Sequence, residues 1–122
     1  MALRRTARTV VVGDPLRLDG AQGEDRLLVL TFVEPPDSPS AGQRTDVTGT
    51  AKMRLRGPRG WSGALGGSLV SSGVLAFLVG ATMTASHAPQ LAAADVVVVS
   101  VEGSRTQILV RSTYEITRSP AL

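Results

Sequence analysis

The stretch TAKMRLR, residues 50 to 56, alternates strictly between apolar and basic positions. Successive side chains of a strand point to opposite faces, so Ala51, Met53 and Leu55 turn one way and Lys52, Arg54 and Arg56 the other. RLLVLTFV, 26 to 33, is nearly continuous in apolar residues, the pattern of a central strand covered on one face and partly on the other. GVLAFLV, 73 to 79, reads as a further strand. The clearest hairpin is DVVVVSV, 95 to 101, followed by a turn at 102 to 105 and TQILVRSTYEIT, 106 to 117. There Ile108, Val110, Tyr114 and Ile116 share one face, and Leu109, Arg111, Thr113, Glu115 and Thr117 the other, as in a half-buried antiparallel strand. Val10 to Val12 begin a short strand that Gly13-Asp14-Pro15 interrupts as a turn or an edge bulge.

The intervening segments lack strand period. EPPDSPSAGQR, 34 to 44, holds three prolines among Ser, Gly and charges and predicts an exposed loop, long for a hairpin. Gly57-Pro58-Arg59-Gly60 ends the strand before it, and Trp61 to Ser72, rich in Gly and Ser, predicts a turn and a short or irregular strand. TMTASHAPQLAAAD, 82 to 95, has room for one helical turn and is split by Pro89. The elements together predict an all-β, single antiparallel β-sandwich of about seven strands.

A chain of 122 residues fits one domain, 1–122, with a single core. Only four residues are aromatic (Phe32, Trp61, Phe77, Tyr114), so an aliphatic core is expected. Residues 1–9 carry Arg4, Arg5 and Arg8 among small residues, the composition of a flexible basic arm. Net charge is +3, and the twelve arginines raise the isoelectric point without a large charge excess, which is weak ground for a nucleic-acid partner. The absence of cysteine removes disulfides, thiolate nucleophiles and thiolate metal sites. The apolar run Val10 to Val12 is too short for the core of a secretory signal. The window 65 to 83 is moderately apolar, but its unbroken apolar core, Val74 to Val79, has the length of a strand rather than of a membrane span.

Motifs for catalysis and cofactors are missing. His87 is the one histidine, so no His-His metal pair forms. GSLVSSG, 67 to 73, lacks the pattern of a nucleophile elbow. GDPLRLDG and GPRGWSGALGG match neither phosphate-loop nor dinucleotide spacing. The expectation is a protein that is not an enzyme, with no cofactor, no metal and no small-molecule substrate. Lys52, Arg54 and Arg56 form a basic stripe with phosphate-binding capacity. Readers of single strands stack bases on exposed aromatics, and Trp61 is the one aromatic near the stripe. A charged outer sheet face accounts for the stripe without a ligand.

DVTGTAKMRLR, 46 to 56, resembles the opening motif of the immunoglobulin-like amino-terminal domain of tailed-phage baseplate upper proteins and related tail modules, where an Asp-aliphatic-Thr-Gly turn precedes a strand of alternating apolar and basic residues. GVLAFLV, ASHAPQLAAAD and EGSRTQILVRSTYEIT fall where that family has an apolar strand, a short crossing and a final hairpin with a glycine turn. The resemblance covers about residues 46 to 118. It implies an immunoglobulin-like sandwich located in a virion, which binds copies of itself or other virion proteins in the tail or baseplate. A capsid decoration or cement protein is the first alternative, and a nucleic-acid-binding protein using the basic stripe the second. The expected contact residues are Arg4, Arg5 and Arg8 in the arm and Pro35, Pro36 and Pro39 in the loop.

Overall fold

The computed structural model describes residues 4–45, 50–58, 60, 62–71, 73–85, 90–99 and 106–118. In chain order they form β1 (Arg4–Val11), β2 (Leu16–Ala21), β3 (Arg26–Val33), β4 (Thr50–Arg56), β5 (Ser62–Ser71), β6 (Val74–Val79), the short helix α1 (Ala81–Ala85), β7 (Gln90–Val99) and β8 (Thr106–Thr117). The strands make one sheet in the order β1-β3-β6-β5-β4-β7-β8-β2. Strand β5 is where it folds. Its first half pairs with β4, from Arg56↔Ser62 to Lys52↔Gly66, and its second half with β6, beginning at Gly67↔Phe77. Two layers result, β1-β3-β6-β5 and β5-β4-β7-β8-β2, enclosing the core between them. Glycine at the pivot has a steric cause: a Cβ on Gly67 would lie 2.8 Å from Phe77 Cε1 and 3.1 Å from Ala51 Cβ.

The core is built from the alternate positions of each strand. In β4, Ala51, Met53 and Leu55 are buried and Lys52, Arg54 and Arg56 exposed, as their spacing predicts. Leu28, Leu30 and Phe32 from β3 meet Leu75, Phe77 and Val79 from β6, and Tyr114 and Ile116 from β8 face Leu16 and Leu18 of β2 in one cluster. Burial of such side chains removes apolar surface from water and is the main driving force for closing the layers. Phe32, Phe77 and Tyr114 are among the largest fully buried side chains, so the interior is less purely aliphatic than expected.

Several expectations are corrected. The described residues contain eight strands, the added one being β2, whose Leu16, Leu18 and Gly20 alternate inward. Two pairings, β1 with β3 and β2 with β8, are parallel. The reason lies in the connection: residues 12–15 carry the chain from one edge of the sheet to the other, so β1 and β3 are neighbours with β2 absent from between them. The basic arm expected over residues 1–9 is, from Arg4 onward, the edge strand β1, in register with β3 from Arg4↔Arg26 to Val11↔Val33. The segment 34–44 is a loop, folded into successive turns in which the Glu34 N–H donates to Gln43 O (2.8 Å) and the Gly42 N–H to Glu34 O (3.2 Å). Strand β7 starts at Gln90, ahead of the expected 95, because Ala92 and Ala94 fill inward positions. No helix among the described residues is long and apolar enough to cross a membrane. The Asp-Val-Thr-Gly turn, Trp61, His87 and the 102 to 105 turn lie outside the described residues.

The sheet edges β1 and β2 flank a seam that Arg26 spans at one end. Its Nη1 donates to Thr6 Oγ1 on β1 (2.7 Å), while Nη2 (2.7 Å) and Nε (3.1 Å) donate to Glu24 Oε1 in the turn leading out of β2. Arg4 Nε pairs with the other oxygen, Glu24 Oε2, at 3.3 Å. Beside this cluster Tyr114 lies over Gly20, where any Cβ would collide with the tyrosine hydroxyl. Helix α1 is tied to the same end: the Ala81 N–H donates to Asp25 Oδ1 (2.7 Å) and the Gly23 N–H to Thr84 Oγ1 (3.0 Å).

Candidate interaction surface

The outward positions of the two layers differ in chemistry. On β5-β4-β7-β8-β2 they are mostly charged or small, with Leu91 on β7 a large apolar exception at 60% exposure. Arg54, Asp95 and Arg111 form one row across β4, β7 and β8, and Arg56, Ala93, Thr113 and Arg17 the next, continued onto β2. Five cations (Lys52, Arg54, Arg56, Arg111, Arg17) and three carboxylates (Asp19, Asp95, Glu115) share this face among the described residues. Above β4 and β5 lies an open trough of about 560 Å³ lined by Arg54, Leu55, Arg56, Ser62, Gly63 and Ala64. An ordinary solvated sheet face has this composition, with a basic bias toward β4.

The outward face of β1-β3-β6-β5 is aliphatic. Strands β3 and β6 carry apolar residues at both parities, so after the inward set is buried the remainder points out. Leu27 and Val29 on β3 stand opposite Leu78 and Ala76 on β6. Leu78 is 52% exposed and Val70, from β5, is 61% exposed, which is high for large apolar side chains on one contiguous face. A shallow groove of about 270 Å³ runs across it, lined by Arg5, Ala7, Leu27, Val29, Val70 and Ala76. The charges on it are cationic. Arg5 sits opposite Leu27 at one end, and Arg44 bridges Val33 at the other, its Nη1 donating to Ser71 Oγ at 3.4 Å.

The residues expected to make contacts are not brought together. Arg5 alone belongs to the aliphatic face. Arg4 and Arg8 lie on the opposite side of the edge strand, Arg4 being engaged by Glu24 and Arg8 exposed. Pro36 and Pro39 are exposed and Pro35 half-buried in the loop beyond Val33. Six residue steps separate Leu27 from Val33, roughly 20 Å at the usual strand rise, so Arg5 and the prolines occupy opposite ends of the layer. The residues missed as candidates are Leu27, Val29, Val70, Ala76 and Leu78; the signal for four of them was the unbroken apolar run of RLLVLTFV and VLAFLV.

Among the described residues no group of three or more His, Cys, Asp or Glu is placed to hold a metal ion. Tyr114, the one titratable group with a resolved perturbation among the described residues, is an interior residue: burial raises its hydroxyl pKa to about 12, opposed by Arg26 and helped by the nearby Glu24 and Asp19 carboxylates.

No family model matches this chain, and no curated protein matches it. Among solved structures it is similar to the N-terminal domain of phage TP901-1 ORF48, with a TM-score of 0.60 and 16% sequence identity over 95% of this chain and 99% of that one. What the two share is the fold, over nearly the whole of each chain.

Proposed function

We propose that this chain is a non-enzymatic structural protein of a tailed-phage particle, an immunoglobulin-like sandwich that binds other particle proteins in the tail or baseplate. The observation that carries the reading is the aliphatic outward face formed by Leu27, Val29, Val70, Ala76 and Leu78. A sheet layer with no further layer over it normally presents polar side chains, and a contiguous apolar patch marks a protein contact. The fold likeness to a phage protein's N-terminal domain supports the particle setting. On a repeated lattice, several modest docking events of this kind multiply into firm attachment.

The test is to purify particles whose genome encodes this chain, identify it in them by mass spectrometry, and find the sandwich in a map of the particle. Density on the tail or baseplate, with Leu78 covered by a neighbour, is the expected result, and Leu78→Asp should reduce incorporation at least several-fold. Density on the capsid surface would instead favour a decoration protein. Absence from purified particles despite expression would sink the proposal.

A second reading draws on the basic trough beside Arg54 and Arg56, which suits phosphate. It requires DNA or RNA binding whose affinity falls steeply with salt and whose slope shrinks when both arginines become serine. Asp95, which stands in register between Arg54 and Arg111, weakens the field there and places this reading second.

A further inference from the structure

We infer that the aliphatic face docks a different protein, one presenting aliphatic side chains flanked by carboxylates, and that its own arginines oppose pairing with a second copy of this chain. The inference deepens the proposed function by naming the partner's chemistry at the same surface, and it rests on that reading for the particle setting alone.

The strands' outward positions on this layer carry no carboxylate. Two acids lie just beyond the ends of β3 and keep their charge, Asp25 accepting from the Ala81 N–H at 2.7 Å and Glu34 Oε2 from Thr45 Oγ1 at 3.5 Å, and neither occupies an outward strand position of the face. The face therefore has an apolar middle with Arg5 at one end and Arg44 at the other, roughly 20 Å apart along the strands. Two copies meeting face to face are related by a two-fold axis lying in the interface. An axis along the strands brings the two Arg5 ends together and the two Arg44 ends together. An axis across the strands brings each Arg5 end to an Arg44 end. Either way the arginines of the face gather with arginines as water leaves, which opposes association. A partner with carboxylates at the two ends meets both guanidiniums in charge-assisted, two-pronged hydrogen bonds around a shared apolar centre.

This makes a sharp demand on a single substitution. Arg44→Glu gives the face opposite charges at its two ends, so the arrangement with its axis across the strands becomes self-complementary. In sedimentation equilibrium at low salt, the wild-type chain should behave as a 12.7 kDa monomer. The Arg44→Glu chain should double in mass, dissociate when salt is added, and return to monomer when Leu78→Asp is combined with it. Arg5→Glu should do the same from the other end, which guards against a defect peculiar to either site; circular dichroism checks that each variant keeps its sheet. Three results would overturn the inference: a wild-type dimer that Leu78→Asp dissolves, folded Arg44→Glu and Arg5→Glu chains that both stay monomeric, or dimers of these variants indifferent to Leu78→Asp. The measurement uses the isolated chain, so absence from a particle would defeat the proposed function while leaving this outcome standing.

Discussion

Raising the pH through the tyrosine range should loosen this sandwich by ionising one residue. Tyr114 is 1% exposed, and its hydroxyl is packed over Gly20 in a space with no slack for an added Cβ. Burial, the largest influence, lifts its pKa from 10.0 to about 12. An unfolded chain ionises the tyrosine near pH 10, whereas the folded chain keeps the proton until about pH 12. Between those values the unfolded state binds fewer protons than the folded one, so stability falls as pH rises. The contribution is fully present below pH 10 and lost above pH 12, the two limits set by the shift. Two pKa units correspond to about 3 kcal/mol at most, a substantial share of the 5 to 15 kcal/mol by which domains are typically stable.

The composition makes the experiment clean. Tyr114 is the sole tyrosine, arginine keeps its proton throughout, and a Lys52→Arg background removes the one lysine. Urea unfolding at steps from pH 9 upward should show the midpoint of the wild type falling, with tyrosinate absorbance of the folded protein lagging behind that of the urea-unfolded chain. Tyr114→Phe should lose this dependence, at a cost of about 1 kcal/mol for the missing hydroxyl. An equal pH dependence in the phenylalanine variant, or tyrosinate absorbance in the folded protein that rises together with that of the unfolded chain, would refute the placement of Tyr114 in a sealed interior.

Two further outcomes are expected of the same interior. Gly67→Ala pushes a Cβ against Phe77 at the pivot of β5 and should lower stability by about 1 to 3 kcal/mol, while Gly66→Ala, whose Cβ would meet nothing within 4 Å, should stay near neutral; chemical denaturation of both separates a steric requirement from a general intolerance of alanine. Arg26→Met leaves Glu24 without its 2.7 Å partner at the seam and should destabilise by roughly 1 to 3 kcal/mol, with faster hydrogen exchange along β1 as the local readout; an unchanged exchange rate there would show that the arginine does not hold the edge.

Much of the sheet was legible because inward and outward residues alternate in kind. The bounds of β3 and the face assignment of β4 follow from RLLVLTFV and TAKMRLR, and Arg111 to Thr117 of β8 obey the parity read from the sequence. What escaped was whatever depends on distant pairing. RRTARTVV has arginine at both parities and carries no strand period; it is a strand because β3 supplies a hydrogen-bonding partner. LRLDGA is short, follows a proline and contains Asp and Gly, so its two inward leucines did not stand out. SGALGGSLVS has small residues on both faces and is held by β4 along its first half and by β6 along its second. Nor does local pattern report that residues 12–15 cross between edges, which is what makes two pairings parallel. The same cause separates the arginines: Arg4, Arg5 and Arg8 are neighbours in sequence, but pairing in a strand divides them between two faces.

The aliphatic face was visible in the sequence once the number of layers is known. A strand apolar at both parities is ordinary in the middle layer of a three-layer protein, where each face has a cover. This chain has two layers, so each strand has one covered face, and only one parity needs to be apolar. β4 and β8 follow that rule, turning Lys52, Arg54, Arg56, Arg111 and Glu115 outward. β3 and β6 break it together, in adjacent strands and in register, with Leu27 beside Leu78 and Val29 beside Ala76. The fold of the described residues does not require these four to be apolar, since none of them belongs to the buried core cluster. Outward apolar residues also occur on the other layer, where Leu91 stands alone beside Glu115, but only on β3 and β6 do they run in register across adjacent strands, and that row carries information about a surface supplied from outside.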